Sequence, residues 1–405
     1  MINLEQLANP QRRAIELVRE VAAEKQCRPY LVGGPVRDLL LARAVSDVDL
    51  TLEEEASTLA RALAKRLGGR VRSFPQFMTY KVTAEGFPEI DIATARKERY
   101  RTPGALPTVA PGSLNDDLLR RDFTVNAIAL DLTKAALHDP TGGAKDIAEH
   151  VIRVLHDESF IDDPTRILRA IRFAIRLGFT IEPHTRALLD KAIQEGALDT
   201  ISKERLWREL FLAFNEPDAA AVVEALSDAG ALKPLFPPTA PNLRARLDEA
   251  SGAMQSNPEL DRGLLYTAAL LYGNASPVDL EGSGMSQKRA RTVMQIANER
   301  PHFIDALAEA RSERHRLRLL KHASPELLSL INDPHVARFQ DYQKFQLPLR
   351  GTDLEVPSGP HIAKALERTR EAVFTGEIPP AEARTFAREM AMKYLSREQP
   401  HHDSQ

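Results

Sequence analysis

Residues 30–52 read YLVGGPVRDLLLARAVSDVDLTL. The first three residues are apolar and predict a short buried strand, which the double glycine after them ends. Pro35 suits the first position of a following helix, because proline has no N–H to leave unpaired there. Residues 48–52 alternate in polarity and predict a second strand. This order of strand, glycine turn, helix and strand indicates an α/β unit built around the turn.

The flanking sequence extends this unit in both directions. Apolar residues recur at helical spacing over 10–25 and 56–67, and strands are predicted at 78–84 and 89–94. Residues 101–115 contain several Pro and Gly residues, which predicts a long loop. Strand signals weaken after about residue 145 and long helical patterns follow, so we expect a small α/β head followed by helical units.

Composition limits the classes of protein to which the chain can belong. Its 405 residues suggest more than one structural unit, and no window approaches the roughly 20 apolar residues of a membrane span. Cys27 is the single cysteine, so an intrachain disulfide is excluded. With no secretory signal recognised at the N-terminus, we expect a reducing cytoplasm. The formal net charge of −3 excludes a uniformly basic nucleic-acid binder, but a local basic face can still bind RNA.

The double glycine has the properties of a phosphate cradle. Gly33 and Gly34 let the backbone approach a ligand closely, and the next helix directs its amide N–H groups at the same place. Arg37, in the first turn of that helix, can add a charge-assisted contact. The alternative is a plain turn that binds nothing.

Two aspartates follow at the start of the second strand. Residues i and i+2 of a strand face the same side, so Asp47 and Asp49 are expected to present two carboxylates on one face. Carboxylate oxygens bind hard divalent ions, which can activate an attacking hydroxyl and stabilise a triphosphate. The alternative is that Asp47 caps a turn and Asp49 lies on a solvated face.

A third carboxylate would complete such a site. Asp91 lies between Ile90 and Ile92, and a strand next to residues 48–52 would bring it beside the first two aspartates. A carboxylate at an apolar position needs a partner if it is buried. Glu89 has the same side parity as Asp91 and is the competing candidate.

Five ordered motifs in residues 28–212 resemble those of class II tRNA nucleotidyltransferases and bacterial poly(A) polymerases. The double-glycine helix and the Asp-Val-Asp sequence are similar to the first motif of that family. The others are similar to its second motif, its head-to-neck turn, its nucleotide-reading motif and the helix that supports this motif. In order, they are residues 33–40 with 47–49, 120–127, 139–147, 162–169 and 201–209.

The resemblance implies an α+β fold, with a small polymerase-β-like nucleotidyltransferase head followed by an all-helical neck, body and tail. We assign these to residues 1–140, 141–212, 213–340 and 341–405. It also implies that the RNA 3′-hydroxyl attacks the α-phosphate of CTP or ATP and releases pyrophosphate. Asp47 and Asp49 would hold Mg²⁺, with Asp91 as a third catalytic carboxylate. The body and tail would bind the acceptor arm of tRNA.

The second motif supplies candidates for the triphosphate and the sugar. Arg120 and Arg121 can reach triphosphate oxygens. Asp122 and Asn126 are placed to bond a ribose hydroxyl, and in the family this motif selects ribonucleotides. The alternative for the latter two residues is capping of a helix start, which is compatible with function.

The nucleotide-reading motif supplies the candidates for base selection. Asp163 and Arg166 are three residues apart and share a helix face. One carboxylate and one guanidinium complement the donor and acceptor edges of both cytosine and adenine. In the alternative, Asp163 is a helix N-cap before Pro164, unless Ser159 forms a capping box with Asp162 one turn earlier. Arg169, further along, is a nucleotide-binding candidate that can instead pair with neck carboxylates.

The distal half favours tRNA as the partner. Residues 285–291 and 311–321 are basic clusters that can contact phosphates, or else form solvated helix faces. Residues 347–362 resemble the tail of bacterial CCA-adding enzymes, except that Ala363 replaces a Gly. We therefore expect template-independent CCA addition to tRNA. The alternatives are an A-adding or CC-adding enzyme, a bacterial poly(A) polymerase and a catalytically silent RNA-binding module.

Overall fold

The computed structural model describes residue 4 and residues 7–236, 241–273, 280 and 282–398. They fall into two compact units. The first contains the described residues up to 236 together with 280 and 282–285, and the second contains 241–273 and 286–398. The expected head and neck segments both lie in the first unit. The four-segment division into head, neck, body and tail remains a proposal.

A mixed sheet forms the centre of the first unit. The strands of this unit are β1 (Tyr30–Val32), β2 (Val48–Leu52), β3 (Arg70–Phe74), β4 (Thr79–Thr83), β5 (Ile90–Thr94), β6 (Arg96–Arg99), β7 (Thr108–Pro111), β8 (Ala129–Asp131), β9 (Leu137–His138), β10 (Val151–Ile152) and β11 (Thr180–Ile181). Seven of the described strands form one sheet in the order β3-β4-β5-β2-β1-β8-β9. β2 pairs with β5 in parallel, and the other neighbours in this sheet are antiparallel.

Helices cover the sheet and then continue as a helical layer. Those of the first unit are α1 (Asn9–Lys25), α2 (Gly34–Leu40), α3 (Ala56–Leu67), α4 (Leu114–Leu119), α5 (Gly143–Ala148), α6 (Ser159–Asp162), α7 (Thr165–Leu177), α8 (Pro183–Gln194), α9 (Lys203–Phe214) and α10 (Ala219–Asp228). The helices predicted at 10–25 and 56–67 are confirmed. So are the strands predicted at 30–32, 48–52, 78–84 and 89–94, and the last lies beside β2, which is the condition for bringing Asp91 next to Asp49.

Helix α2 is the helix that was expected after the double glycine. It begins at Gly34 and ends at Leu40. The chain then turns at Ala42, whose φ is +52°. The Ala42 N–H donates to Leu39 O at 3.1 Å and the Arg43 N–H to Asp38 O at 2.9 Å, which is the Schellman pattern of a helix C-terminus. This turn lets the chain reach the start of β2.

The prediction of an uninterrupted loop over 101–115 is wrong. Strand β7 lies within it and pairs antiparallel with β6, and α4 begins at Leu114. Neither strand was recognised from the hydrophobic pattern of the sequence, because β6 is composed of charged residues and β7 ends in Pro111. Strand β3 was also not predicted, and the neck contains the short parallel pair β10–β11 where only helices were expected.

Aromatic residues fill the helical part of the first unit. Trp207, Phe123, Phe160 and Phe214 are among the largest fully buried side chains in the described residues. Helix α7 packs against α9 and α10, and its buried Arg172 pairs with Glu209 of α9 and with Glu216. The predicted succession of a sheet-containing head and helices is therefore confirmed.

The second unit is helical. Its helices are α11 (Leu243–Ser256), α12 (Arg262–Leu271), α13 (Gln287–Met294), α14 (Arg300–Glu309), α15 (Glu313–His322), α16 (Pro325–Ser329), α17 (Pro334–Lys344), α18 (Pro360–Phe374) and α19 (Ala383–Glu398). Leu354, Ala365, Ala387 and Ala391 form a core cluster where α18 packs on α19. In the ranges that the structure describes, every helix is too short or too polar to cross a membrane.

We predict that Gly143→Ala destabilises the first unit. A Cβ at Gly143 would lie 2.0 Å from Thr124 O, and a carbonyl oxygen cannot move aside like a flexible side chain. The free energy of unfolding should fall by about 2 kcal/mol or more. Gly252→Ala, within α11, is the control, since nothing lies within 4 Å of that added Cβ and alanine favours helix. Thermal unfolding measures both, and an unchanged melting temperature for Gly143→Ala would contradict the close approach.

Candidate active site

The double-glycine turn and the two aspartates line one cavity. The cavity has a volume of about 600 Å³, in the range of small-ligand sites. Its wall is made by the turn after β1, the start of β2, the segment after β5, the α4–β8 connection and the helices α7 and α9. The lining includes Gly34, Arg37, Asp47, Asp49, Arg120, Arg121, Asp122, Asn126, Asp163, Arg166 and Arg169.

Gly33 is required where the chain leaves β1. Its φ is +72°, a region that disfavours other residues. A Cβ on it would lie 2.6 Å from Arg121 Nη1, so the guanidinium occupies the space of a side chain. Arg37 is buried in helix α2 and donates to Asn126 Oδ1 at 2.7 Å and to Asp38 Oδ1 at 2.9 Å. The Arg37 side chain therefore ties the turn to the second motif.

The three acidic candidates lie at or just before the starts of β2 and β5, which are neighbouring central strands of the sheet. Asp49 is in β2 and Asp91 is its registered partner in β5, so both side chains are on the same face. Asp47 precedes β2 and is exposed. Burial, Asp91 and Asp47 raise the pKa of Asp49 to about 6. Burial is the largest cause of this rise, and the negative charges of the two neighbouring aspartates add to it.

The contacts of Lys81 distinguish Glu89 from Asp91, the two candidates for the third carboxylate. Its Nζ lies 2.5 Å from Glu89 Oε1 and 3.5 Å from Asp91 Oδ2. Glu89 is exposed and already paired, whereas Asp91 Oδ1 is buried without a hydrogen-bond partner. The geometry favours Asp91 over Glu89.

These carboxylates fit a hard divalent ion. An unpaired buried oxygen on Asp91 and the raised pKa of Asp49 are both relieved by a nearby cation. Within the described ranges, no group of three or more His, Cys, Asp or Glu side chains is arranged to hold a metal by itself. Such a preformed cage is not needed for Mg²⁺, which is commonly bound by one or two carboxylates plus substrate phosphates and water.

The second motif forms a buried ion-pair network. Asp122 Oδ1 accepts from Asn126 Nδ2 at 3.0 Å, and Asp122 Oδ2 accepts from Arg169 Nε at 3.0 Å and Nη2 at 2.6 Å. Burial alone would raise the pKa of Asp122, but Arg169 and Asn126 lower it to about 2. Arg169 also lies 3.6 Å from Glu209. Arg169 thus pairs with Glu209, a carboxylate of the segment predicted as the neck, and it also lines the cavity.

Asp163 does act as a helix cap. Its Oδ1 accepts from the Thr165 N–H at 3.1 Å, from Thr165 Oγ1 at 2.6 Å and from Arg205 Nη2 at 2.8 Å. Three donors on one oxygen leave Oδ2 as the acceptor for another group. Asp163 lines the cavity, so capping and access to a ligand coexist.

The alternative of a capping box at Ser159 is wrong. Ser159 is the first residue of α6 and has no capping hydrogen bond. Its buried hydroxyl instead accepts from Arg166 Nη1 at 2.7 Å, while Arg166 Nη2 donates to Arg120 O at 2.8 Å. Burial explains the difference, because Ser159 faces the Arg166 guanidinium and not the open end of a helix.

Four residues of the site escaped prediction. Glu98 accepts from Arg120 Nη1 at 3.1 Å and from Tyr100 OH at 3.2 Å. Arg205 Nη1 donates to Gly104 O at 2.5 Å and so holds the segment after β6. Asp117 binds the arginines of the second motif. Its spacing of three and four residues from them was a detectable helical ion-pair signal, whereas Glu98 and Tyr100 lie in a run with no such pattern.

Two family models match the first part of the chain. The model of the poly A polymerase head domain matches residues 29–153. The model described as the probable RNA and SrmB-binding site of polymerase A matches residues 178–243. The first match contains the double-glycine turn, the three aspartates and the second motif.

Individual relatives extend the similarity over most of the chain. The A-adding tRNA nucleotidyltransferase of Geobacter sulfurreducens is 33% identical over 390 residues, which cover 88% of this chain but 44% of that protein. The chain thus spans less than half the length of that relative. A solved tRNA-processing enzyme in its apo form is 30% identical, with a TM-score of 0.71 and coverage of 91% of this chain and 98% of that one. The Thermotoga maritima CCA-adding enzyme complexed with tRNA-CCA is 27% identical, with a TM-score of 0.72 and coverage of 98% and 97%.

We predict that Asp122→Asn lowers stability at neutral pH. The folded-state pKa of Asp122 lies below its ordinary 3.8, so its ionised form favours the fold. This contribution is complete above about pH 4 and is lost as the pH falls toward 2. The free energy of unfolding should drop by about 2 kcal/mol at pH 7.

Chemical denaturation at pH 7 and at stepwise lower pH measures the effect of Asp122→Asn. The control is Asp190→Asn, which breaks an exposed pair with Arg186 and should cost about 0.5 kcal/mol or less. Equal losses in the two variants would contradict the buried network.

Proposed function

Since the chain belongs to the tRNA nucleotidyltransferase and poly(A) polymerase family, we propose that it transfers nucleotides from CTP and ATP to the 3′ end of tRNA. The observation that carries this proposal is the cavity itself. Its acidic side contains Asp47 and Asp49, with Asp91 in register, and its basic side contains Arg120 and Arg121. Acidic and basic groups in one cavity suit a triphosphate and a metal ion together.

The acidic residues have the role of binding Mg²⁺ in this proposal. When bound, Mg²⁺ neutralises phosphate charge and lowers the pKa of an attacking hydroxyl. Asp49 lies on β2, between β1 and β5, so pairing on both sides fixes the backbone that carries its carboxylate. Asp47 is exposed and can adapt to the nucleotide. Asp91 adds negative charge beside Asp49.

The basic side would receive the phosphates and the sugar. Arg120 and Arg121 are held by acids and so present guanidiniums in defined positions. Gly33 and Gly34 keep the turn beside them free of side chains, and Arg37 supports it. Asp122 and Asn126 are the proposed contacts to the ribose hydroxyls, and Arg169 keeps Asp122 ionised.

Base selection would depend on Asp163 and Arg166. The free oxygen of Asp163 can accept the exocyclic amino group that cytosine and adenine share. It would repel the carbonyl oxygen that uracil and guanine present at the same place. The Arg166 guanidinium is positioned by Ser159 and can donate to the ring nitrogen acceptor.

The basic clusters of the second unit are the proposed contacts to tRNA phosphates. Lys321 lies 2.6 Å from Glu371, and Arg289 lies 2.8 Å from Asp261, so these two are paired with acids. Arg311 and Arg318 are exposed and better suited to a phosphate backbone.

The proposed setting of the protein is the reducing cytoplasm, as the single cysteine suggests.

The extent of addition separates two candidate activities. Full CCA addition is the leading proposal, and similarity to an A-adding relative favours A-only addition as the second. The pure protein is incubated with Mg²⁺ and labelled CTP or ATP, using tRNA transcripts that end before CCA or after CC, and an unrelated RNA. Incorporation of C, C and A into the first transcript supports CCA addition. Incorporation into the CC transcript alone supports A addition.

Other results of this assay would replace the proposal. Incorporation that stops after two cytidines would indicate a CC-adding enzyme. Long A tails on the unrelated RNA would indicate a poly(A) polymerase. Binding of tRNA without incorporation would indicate a silent RNA-binding module.

We predict that Asp49→Asn raises stability while it abolishes incorporation. The pKa of Asp49 is above its ordinary 3.8, so its charge opposes folding, and this penalty grows between pH 3.8 and 6 and is complete above that. Removal of the charge should add about 1 to 3 kcal/mol at pH 7.5 in EDTA. Mg²⁺ should stabilise the wild type more than the variant.

Thermal unfolding with and without Mg²⁺, beside the incorporation assay and a tRNA-binding assay, tests Asp49→Asn. Asp38→Asn serves as control for a nearby carboxylate that is paired with Arg37. A less stable Asp49→Asn, or one with normal incorporation, would remove the basis for a metal site.

We predict that Asp163→Asn relaxes base choice. Asparagine keeps an acceptor for the Thr165 cap but replaces the free carboxylate oxygen by an amino group, which can donate to uracil or guanine. The preference for CTP over UTP should fall about tenfold to a hundredfold. Asp163→Ala should lose the same discrimination and the cap as well. Competition between labelled nucleotides measures the ratio, and unchanged selectivity in both variants would rule out the reading role.

A further inference from the structure

Asp117 connects the two arginines of the cavity wall. It lies in helix α4 and its side chain is 0% exposed. Asp117 Oδ1 accepts from Arg120 Nε at 3.0 Å and from Arg120 Nη2 at 2.7 Å. Asp117 Oδ2 accepts from Arg121 Nη2 at 3.0 Å. One carboxylate thus engages both guanidiniums, one on each oxygen.

This sharing brings two like charges close together. Adjacent guanidiniums repel each other, and each has many rotamers when it is free. Burial alone would raise the pKa of Asp117, but Arg121 and Arg120 lower it below its usual range. The ionised carboxylate therefore offsets the repulsion and restricts both side chains to one arrangement.

The arrangement leaves Arg121 with an unused donor. Arg121 Nη1 lies over Gly33 and donates to Asn126 O at 3.4 Å, while Arg121 Nε is buried and has no hydrogen-bond partner. A buried unpaired donor is costly in the absence of a ligand. Arg120 is fixed from a second side by Glu98 at 3.1 Å. Both arginines line the cavity.

We propose that Asp117 is a positioning residue for the triphosphate, which acts by holding Arg120 and Arg121 on the cavity wall. This inference rests on the proposed function, because it assigns these two arginines to nucleotide phosphates. Asp117 is sealed from solvent behind the arginines, so it acts through them and does not touch the nucleotide. Selection of the base is assigned to Asp163 and Arg166, so Asp117 should not affect it.

Asp117→Asn tests the charge of the carboxylate with little change of shape. The KM for CTP and ATP should rise about tenfold, while the KM for tRNA stays within about twofold. Asp116→Asn is the matched control. It alters the adjacent carboxylate of α4, which accepts from Ser113 in the helix cap and pairs with neither arginine in the contacts described above. The control should leave both KM values near those of the wild type.

Asp117→Glu keeps the proposal falsifiable if the Asn variant does not fold. Glutamate retains the charge, but one extra methylene moves its oxygens. If Asp117 positions the two arginines, the KM for the nucleotide should rise in Asp117→Glu. If Asp117 only balances their charge, this KM should equal that of the wild type. In a double-mutant cycle with Arg121→Lys, the losses should be strongly non-additive, since both changes disrupt one contact. Additive losses, or equal rises in the KM of nucleotide and tRNA, would overturn the proposal.

Direct binding separates this inference from the proposed function. Equilibrium dialysis of labelled CTP should show a dissociation constant about tenfold higher for Asp117→Asn than for Asp116→Asn. If the wild type transfers no nucleotide to any RNA, the proposed function fails, and the dialysis result still decides whether Asp117 positions phosphate-binding arginines. Equal dissociation constants in the two variants would overturn the inference.

Discussion

Parallel pairing of β2 with β5 places Asp49 beside Asp91, and the rest of the site depends on this constraint. Two carboxylates on adjacent strands cannot move apart without breaking the ladder between them. Burial, Asp91 and Asp47 raise the pKa of Asp49 to about 6, although Arg121 and Lys81 act in the opposite direction. The fold therefore maintains a local excess of negative charge, which a cation can relieve.

The arginines of the cavity are compensated differently. They have acidic partners within the protein, as Arg120 and Arg121 have Asp117, and Arg169 has Asp122. The carboxylates of these pairs are buried, so the loss of a guanidinium would leave a buried negative charge without compensation. The charges of these arginines are thus compensated within the protein, whereas the carboxylate charge around Asp49 is compensated only in part. A metal–triphosphate complex would place its metal ion beside the acidic residues. Its phosphate oxygens would accept hydrogen bonds from the arginines.

Several side chains have more than one structural role, and this explains why local reasoning left alternatives open. Asp163 caps α7 with one oxygen and keeps the other for the cavity. Asn126 links Arg37 to Asp122 through both ends of its amide. Ser159 looked like a helix cap from its spacing, but it faces a buried guanidinium. Asp163 and Asn126 have partners from distant parts of the chain, Arg205 and Arg37, while Ser159 binds Arg166 of the next helix.

The sequence by itself determined the strand–turn–helix around Gly33, the spacing of Asp47 and Asp49 at the start of a strand, and the change from a sheet to helices. It could do so because periodicity and backbone preference act between near neighbours. Tertiary structure alone decided that β5 lies beside β2, that β6 and β7 form a hairpin in an apparent loop, and that Glu98 and Arg205 reach the cavity. These features depend on contacts between residues far apart in the chain. Burial and charge compensation select such contacts only once the whole unit has packed.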